Sequence, residues 1–370
     1  MKKKRILFLI NTLRDGGAER VLVNLLNNLP SDKYDIELRL ISHRGPFLSL
    51  LSPDIKLTWV TEVNSLWGRF VAWLLPRFSS RMLHRLLIHG KYDVEVAFLE
   101  GYATKIIAGA PDTVRKIAWL HINLIACDWI APCYHSPDDC LENYRRFERI
   151  VCVSNDVKEA FVQKFEDLSS LDVQYNPIDG IEIRKKAEVS SGLWPKQCFR
   201  MITIGRLVEQ KAYDRLINVA ARLIDDGFEF ELLIIGEGPE RKNLEDKIEQ
   251  FKLNDKVKLL GFKSNPYPFL KESDLFVCSS ITEGYSTAVA EATIIGLPVL
   301  TTACTGMKEL LEDGRYGIIV ENSDSGLEKG LRDVLQHPEI LKEYRERLKD
   351  RYQFFSVERR IQEIESIFDE

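Results

Sequence analysis

The sequence predicts an α/β protein made of two doubly wound parallel-sheet domains. Two observations carry this. Apolar runs of five to seven residues alternate with segments of helical periodicity, the pattern of parallel strands covered on both faces by helices. The alternation also pauses near the middle of the 370 residues and then restarts, and that length suits two cores of about 150 to 180 residues each.

In the first half, Arg5 to Asn11 reads as a buried strand, and Ala18, Val21, Leu22, Leu25, Leu26 and Leu29 mark a helix with one apolar stripe. Ile36 to Ser42 returns as a strand, and later strands are expected at Val94 to Leu99 and at the apolar run Ile117 to Leu120. Asn176 to Phe199 holds Pro177, Gly180, Gly192 and Pro195 among mixed charges and has no period, so it reads as a linker. The second half then offers strands at 201–204, 231–235, 257–260, 274–277, 298–302 and 318–320, with helices near 214–225, 239–251 and 287–295. The expected organisation is a first domain at 1–180, a linker at 181–198 and a second domain at 199–350. A last helix at 351–370 is expected to cross back to the first domain.

Composition excludes several functions. The net charge is −5 and no basic block is sustained, whereas a nucleic-acid surface needs a clustered positive footprint. Seven scattered cysteines (Cys127, Cys133, Cys140, Cys152, Cys198, Cys278 and Cys304) contain no C-x-x-C pair, so neither a disulfide framework nor a zinc site is indicated. The basic start followed by Ile6 to Ile10 is too short for a signal peptide and runs straight into polar residues. A cytoplasmic protein is expected.

The chemistry concentrates in loops at strand ends. Glu283-Gly284-Tyr285-Ser286-Thr287 lies between a strand and a helix, and Glu291 follows eight residues after Glu283. A glycine turn opening a helix presents free N–H groups and a positive dipole end, which suits a diphosphate. The two carboxylates beside it suit the vicinal hydroxyls of a sugar or ribose. Gly205-Arg206-Leu207-Val208-Glu209-Gln210-Lys211 follows the first strand of the second half; a guanidinium fork and an ammonium there can neutralise a departing diphosphate.

Together these loops resemble those of the retaining family 4 glycosyltransferases (glycosyl transferases group 1), whose marks are E-x7-E and G-R-L-x-x-x-K-G. Ala212 stands where that family commonly has glycine. The resemblance implies the GT-B architecture, two Rossmann-like domains facing a cleft. It also implies that Glu283 holds the donor sugar and Glu291 the ribose. Gly236-Glu237-Gly238-Pro239 and Gly261-Phe262 would then surround the nucleotide. Gly16, Gly17 and Glu19 resemble the family's N-terminal G-G-x-E and would meet the donor from the first domain. His121 matches the family histidine near the reacting centre, and Glu100 is expected on the acceptor side. The similar bacterial enzymes build cell-surface polysaccharides, capsules among them, on lipid-linked acceptors.

No D-x-D triplet and no His/Asp cluster with ligand spacing occurs, so no metal and no cofactor is expected; the leaving-group charge falls to Arg206, Lys211 and helix-end amides. The expected partners are a nucleotide-sugar, most simply UDP-linked, and a saccharide or polyprenyl-linked acceptor.

From Val63 to Tyr92 there is no acid, while arginines interleave with Trp67, Phe70, Trp73, Phe78, Met82, Leu86 and Leu87. Arg77, Arg81 and Arg85 fall on one helical stripe beside an apolar face, the layout of an interfacial helix. Peripheral contact with an anionic membrane through 65–91 is therefore expected, at the inner face of the plasma membrane. Two rival functions share the fold: a nucleotide-sugar epimerase, and a catalytically silent partner protein. The second predicts damaged motifs, yet Glu283, Glu291, Arg206 and Lys211 are all present.

Overall fold

The computed structural model describes residues 3–14, 16–126 and 129–369. They form two compact units, 1–177 with 357–370, and 178–356. Cys127 lies outside the described residues.

The first unit is a seven-stranded parallel sheet in the order β3-β2-β1-β4-β5-β6-β7. Its strands are β1 (Lys4–Ile10), β2 (Tyr34–Ser42), β3 (Lys56–Thr61), β4 (Val94–Ala97), β5 (Arg115–Leu120), β6 (Arg149–Cys152) and β7 (Leu171–Val173). The run Ile6 to Ile10 is fully buried, which explains why it is apolar on both faces rather than alternating. Helix α1 (Gly17–Asn28) turns its Val21, Leu22, Leu25 and Leu26 stripe into the core. Strand order reverses between β1 and β4. Such a reversal opens a crevice beyond the carboxyl ends of the two strands, where ligands of open α/β sheets bind.

The C-terminal helix Val357–Asp369 belongs to this unit. Phe368 meets Phe8 edge-on at 5.8 Å and Tyr34 at 6.0 Å, and Lys33 pairs with Glu365 at 2.8 Å. The preceding turn, Arg351–Phe355, belongs to the second unit.

The acid-free segment does not form one continuous helix. Helix α2 (Leu66–Leu74) and helix α3 (Ser80–Leu87) are separated by a turn containing Pro76. Buried Lys105 braces that turn by donating to the Leu75 and Cys133 carbonyls at 3.1 and 2.9 Å. The expected single stripe of Arg77, Arg81 and Arg85 is thereby corrected. Arg77 sits in the turn, donates to the Trp73 carbonyl at 2.9 Å and lies over the Trp73 ring. The expected apolar face also divides: Leu83 and Leu87 are buried, whereas Met82 and Leu86 are exposed beside Arg81 and Arg85.

The second unit is a six-stranded parallel sheet in the order β10-β9-β8-β11-β12-β13. Its strands are β8 (Phe199–Ile204), β9 (Phe230–Ile235), β10 (Val257–Gly261), β11 (Leu275–Cys278), β12 (Val299–Thr302) and β13 (Ile318–Val320). Here the order reverses between β8 and β11. The loops after those two strands are the two motif loops, 205–211 and 279–286.

Much of the expected linker belongs to this unit. Helix α4 (Gly180–Lys186) starts from Asp179, whose carboxylate accepts from the Glu182 amide at 2.8 Å. Trp194 donates to buried Glu231 at 2.8 Å, and Glu231 also pairs with Arg200 at 2.6 Å. Two further helices place the site: α5 (Tyr213–Asp225) and α6 (Thr287–Ile295).

Candidate active site

The two motif loops of the second unit are stitched together through their backbones. The Ile281 amide donates to the Gln210 carbonyl at 2.9 Å, and Gln210 Nε2 donates to the Thr282 carbonyl at 2.8 Å. Ser279 Oγ adds a bond to the Lys211 carbonyl at 2.8 Å. These ties bring Lys211 Nζ to 2.6 Å from Glu283 Oε1, and Ser280 Oγ donates to the same oxygen at 2.6 Å. Both of these bonds fall on Oε1.

Glu283 is buried and the Lys211 side chain nearly so. Burial by itself lowers a lysine, but the adjacent Glu283 carboxylate outweighs it and holds the ammonium above its ordinary value. Lys211 therefore keeps its charge at any physiological pH. Arg206 differs in kind: its guanidinium is half-buried and makes no ion pair or hydrogen bond among the described residues. An open planar fork at a sheet switch point is a natural receiver for phosphate oxygens.

Glycine is sterically required around this pair. A Cβ on Gly205 would lie 2.6 Å from the Tyr213 hydroxyl and 3.2 Å from Lys211 Cε. One on Gly236 would meet the Gly205 carbonyl at 1.9 Å, and one on Gly238 the Leu207 carbonyl at 2.3 Å. The loops after β8 and β9 thus pack backbone against backbone. Ala212, in the place of the family glycine, is left-handed at φ 49°, at a strain of about 1–2 kcal/mol for a residue with a Cβ.

Ser286 caps α6 by accepting from the Val289 amide at 3.5 Å. Glu291, inside that helix, is buried and accepts from the Tyr267 hydroxyl at 3.1 Å. Gly284, Tyr285 and Ser286 are buried along the loop, and Thr287 begins the helix. Glu237 pairs with Arg241 at 2.5 Å, and Phe262 stands exposed after β10. Sequence reasoning missed Ser280, Gln210 and Tyr267; none of them lies in a local pattern that announces its partner.

The first unit gathers its own polar edge beyond β1, β4 and β5. Glu100 is fully buried and accepts from the His121 and Ile122 amides, the latter at 2.9 Å. Its second oxygen, Oε2, has no partner among the described residues, and neither has His121 Nε2 nor Asn11 Oδ1. Burial pushes the Glu100 carboxyl up to about 7 against bonds from its own amide and those of His121 and Ile122, and nearby Glu19 adds to the rise. Burial pushes His121 down to about 3, so its ring, packed on Phe98 at 4.9 Å, is neutral. Gly16 precedes α1 and Gly17 opens it. Asn11 was not expected here; only the orphaned atom marks it.

Among the described residues no three His, Cys, Asp or Glu side chains converge as a metal would require, and the six described cysteines are free thiols.

Residues 185–352 match the family model of glycosyl transferases group 1. The chain is 27% identical over 364 residues to the N-acetylgalactosamine-N,N'-diacetylbacillosaminyl-diphospho-undecaprenol 4-alpha-N-acetylgalactosaminyltransferase of Campylobacter jejuni, covering 94% of each chain. It is 24% identical over 345 residues to the UDP-Gal:alpha-D-GlcNAc-diphosphoundecaprenol alpha-1,3-galactosyltransferase of Escherichia coli, covering 84% of this chain and 82% of that one. Among solved structures, Anabaena HepE in complex with UDP and glucose superposes with a TM-score of 0.75 at 20% identity over 99% of both chains, a likeness of fold. Two doubly wound sheets with these neighbours define the GT-B class. The second unit therefore carries a group 1 glycosyltransferase region, and the protein is a glycosyl-transferring enzyme.

Proposed function

We propose that the enzyme transfers a hexose or N-acetylhexosamine, with retention and without a metal, from a UDP-sugar to a polyprenyl-diphosphate-linked saccharide in cell-surface polysaccharide assembly. The observation that carries this reading is the Lys211–Glu283 pair at 2.6 Å, on a loop that also carries the open Arg206 guanidinium. The names of the relatives support the substrates: UDP for the Anabaena protein, and diphospho-undecaprenol-linked saccharides for the Campylobacter and Escherichia enzymes.

In this reading Arg206 and the Lys211 ammonium take the growing negative charge of the departing diphosphate. Glu283, anchored through Oε1, holds the donor sugar hydroxyls, and Glu291 takes the ribose. The Gly284–Thr287 turn gives N–H groups to the phosphates, while Gly236, Glu237, Gly238 and Phe262 border the nucleotide. In the first unit, Gly16 and Gly17 offer the start of a helix to a phosphate or sugar, neutral His121 can hydrogen-bond a sugar hydroxyl or share developing charge, and Glu100 serves the acceptor side. With charge concentrated around the diphosphate, a loose, oxocarbenium-like departure is favoured, the acceptor hydroxyl entering from the same face while an oxygen of the departing diphosphate takes its proton.

NMR of the new anomeric proton, compared with that of the donor, tests the stereochemistry, and an assay in excess EDTA tests the metal. An inverted product, or activity abolished by EDTA and restored by manganese, would overturn the mechanism.

The reading includes peripheral membrane contact at the cytoplasmic face through 65–91. No helix among the described residues is long and apolar enough to cross a membrane. The exposed face of α2 carries Leu66, Trp67, Phe70 and Trp73, and that of α3 carries Arg81, Met82, Arg85 and Leu86. Removing the charges of Arg81 and Arg85 together is expected to weaken sedimentation with anionic vesicles by about 1 kcal/mol per residue. Activity on a soluble acceptor should persist. Wild-type protein that never sediments with such vesicles would remove the membrane contact.

A further inference from the structure

We infer that a cavity in the first unit, walled by Arg14, Arg44 and Arg69, binds the diphosphate of the lipid-linked acceptor. The inference rests on the acceptor class proposed above and deepens it by naming where the anionic group sits.

Three loops at the carboxyl edge of the sheet build the cavity, which holds about 400 Å³. The loop after β1 brings Thr12 and Arg14, the loop after β2 brings Arg44, and the turn from β3 into α2 leads to Arg69. The first two loops are locked together. The Leu13 amide donates to the Arg44 carbonyl at 2.8 Å, and the Phe47 amide donates to the Leu13 carbonyl at 3.3 Å. Gly45 permits this approach: it sits at φ +134°, and a Cβ there would fall 1.7 Å from the Leu13 carbonyl oxygen. Arg14 and Arg44 are thus held on touching backbones. Ser65 caps α2 by accepting from the Gly68 amide at 2.9 Å, and Arg69 follows within the first turn.

None of these three guanidiniums makes a hydrogen bond or ion pair among the described residues. Many other arginines of the chain pair with acids, as in Arg39–Glu37, Arg145–Glu166, Arg200–Glu231 and Arg222–Glu328. Among the described lining residues the acid is Glu62, and it faces His43 at 3.6 Å. Three like charges gathered in one cavity repel, and a multiply charged anion that accepts planar donor forks relieves the repulsion.

The surface beyond the cavity argues for a lipid-borne anion. Helix α2 runs from the cavity wall and exposes Trp67, Phe70 and Trp73, whose rings follow one another at 5.5 and 6.0 Å. Aromatic rings of this kind sit at the boundary between headgroup and acyl chain. A polyprenyl diphosphate has the same order, an anion followed by an apolar chain. The donor diphosphate is the other source of this chemistry, and the second unit already provides for it.

The full-length enzyme would be assayed with a polyprenyl-diphosphate-linked saccharide and with the same saccharide as a simple glycoside. Arg14→Ala, Arg44→Ala and Arg69→Ala should each raise KM for the diphosphate acceptor about tenfold, with KM for the nucleotide-sugar and all constants for the simple glycoside unchanged. Lysine at each position should restore part of the loss. In an Arg206→Ala background, calorimetry with inorganic pyrophosphate should show binding that the triple alanine variant lacks. Equal losses on both acceptors, a selective rise in the nucleotide-sugar KM, or pyrophosphate binding unchanged by the triple variant would each overturn the inference. Failure of both acceptors with wild-type enzyme, while the pyrophosphate difference persists, would instead sink the acceptor reading and leave the anion site standing.

Discussion

Replacing Lys211 with alanine should lower turnover by about 2–4 kcal/mol in barrier, roughly thirtyfold to a thousandfold, because diphosphate charge grows as the sugar leaves. It should also lower stability, since Glu283 would be left buried without its counter-charge, which costs about 3–5 kcal/mol for a buried pair broken on one side. Arg206→Ala provides the contrast. Arg206 has no ion-pair partner among the described residues to strand, so the variant should lose a similar share of turnover while its stability stays within about 0.5 kcal/mol of wild type.

The double variant Lys211→Ala/Glu283→Ala should recover part of the stability and none of the activity, because it removes the stranded charge but not the catalytic need. Steady-state kinetics and thermal unfolding on the same four proteins decide the matter. Unchanged turnover in both single variants would remove this site from the mechanism, whatever their stabilities.

What the sequence made legible follows the range of each interaction. The motif loops could be read because a strand end, a glycine turn and a helix start are neighbours in the chain. The pairings within the site could not. Lys211 and Glu283 are 72 residues apart, as are Gln210 and Thr282, and only the adjacency of β8 and β11 joins them. Tyr267 reaches Glu291 across 24 residues for the same kind of reason.

Arg77 was misplaced although Pro76 stood in view. Periodicity continues through a proline on paper, whereas the helix stops and restarts at the Ser79 cap. Around the expected linker, Pro177, Gly180, Gly192 and Pro195 masked a helix start at Asp179-x-x-Glu182, an acidic cap followed by a first-turn acid. The unpaired arginines around the 400 Å³ cavity lie on two loops and the first turn of α2, so their convergence needed the order β3-β2-β1.

Glu100→Gln should change how stability depends on pH, and the sign follows from the two buried groups at this edge. The folded-state value of Glu100 is about 7 against an ordinary 4.5. Between those values the unfolded chain has released a proton that the folded chain keeps, so stability falls as pH rises through the window. His121 works in the opposite direction: its folded value is about 3 against an ordinary 6.5. The unfolded chain takes up a proton that the folded ring refuses, so stability is lost as pH falls from 6.5 towards 3. Across the overlap the two slopes oppose and largely cancel.

Glutamine keeps an acceptor for the His121 and Ile122 amides but has no charge to desolvate. The variant should therefore gain up to about 3 kcal/mol relative to wild type above pH 7, and nothing below pH 4.5. Its profile should climb steadily from pH 3 to 6.5, the His121 contribution standing alone, whereas His121→Asn should show the falling limb of Glu100. Denaturation midpoints measured from pH 3 to 8 on wild type and both variants would resolve the three shapes. Parallel curves would mean that neither group is desolvated as its burial requires, and Glu100 would then be an ordinary ionised carboxylate with no proton to offer near neutral pH.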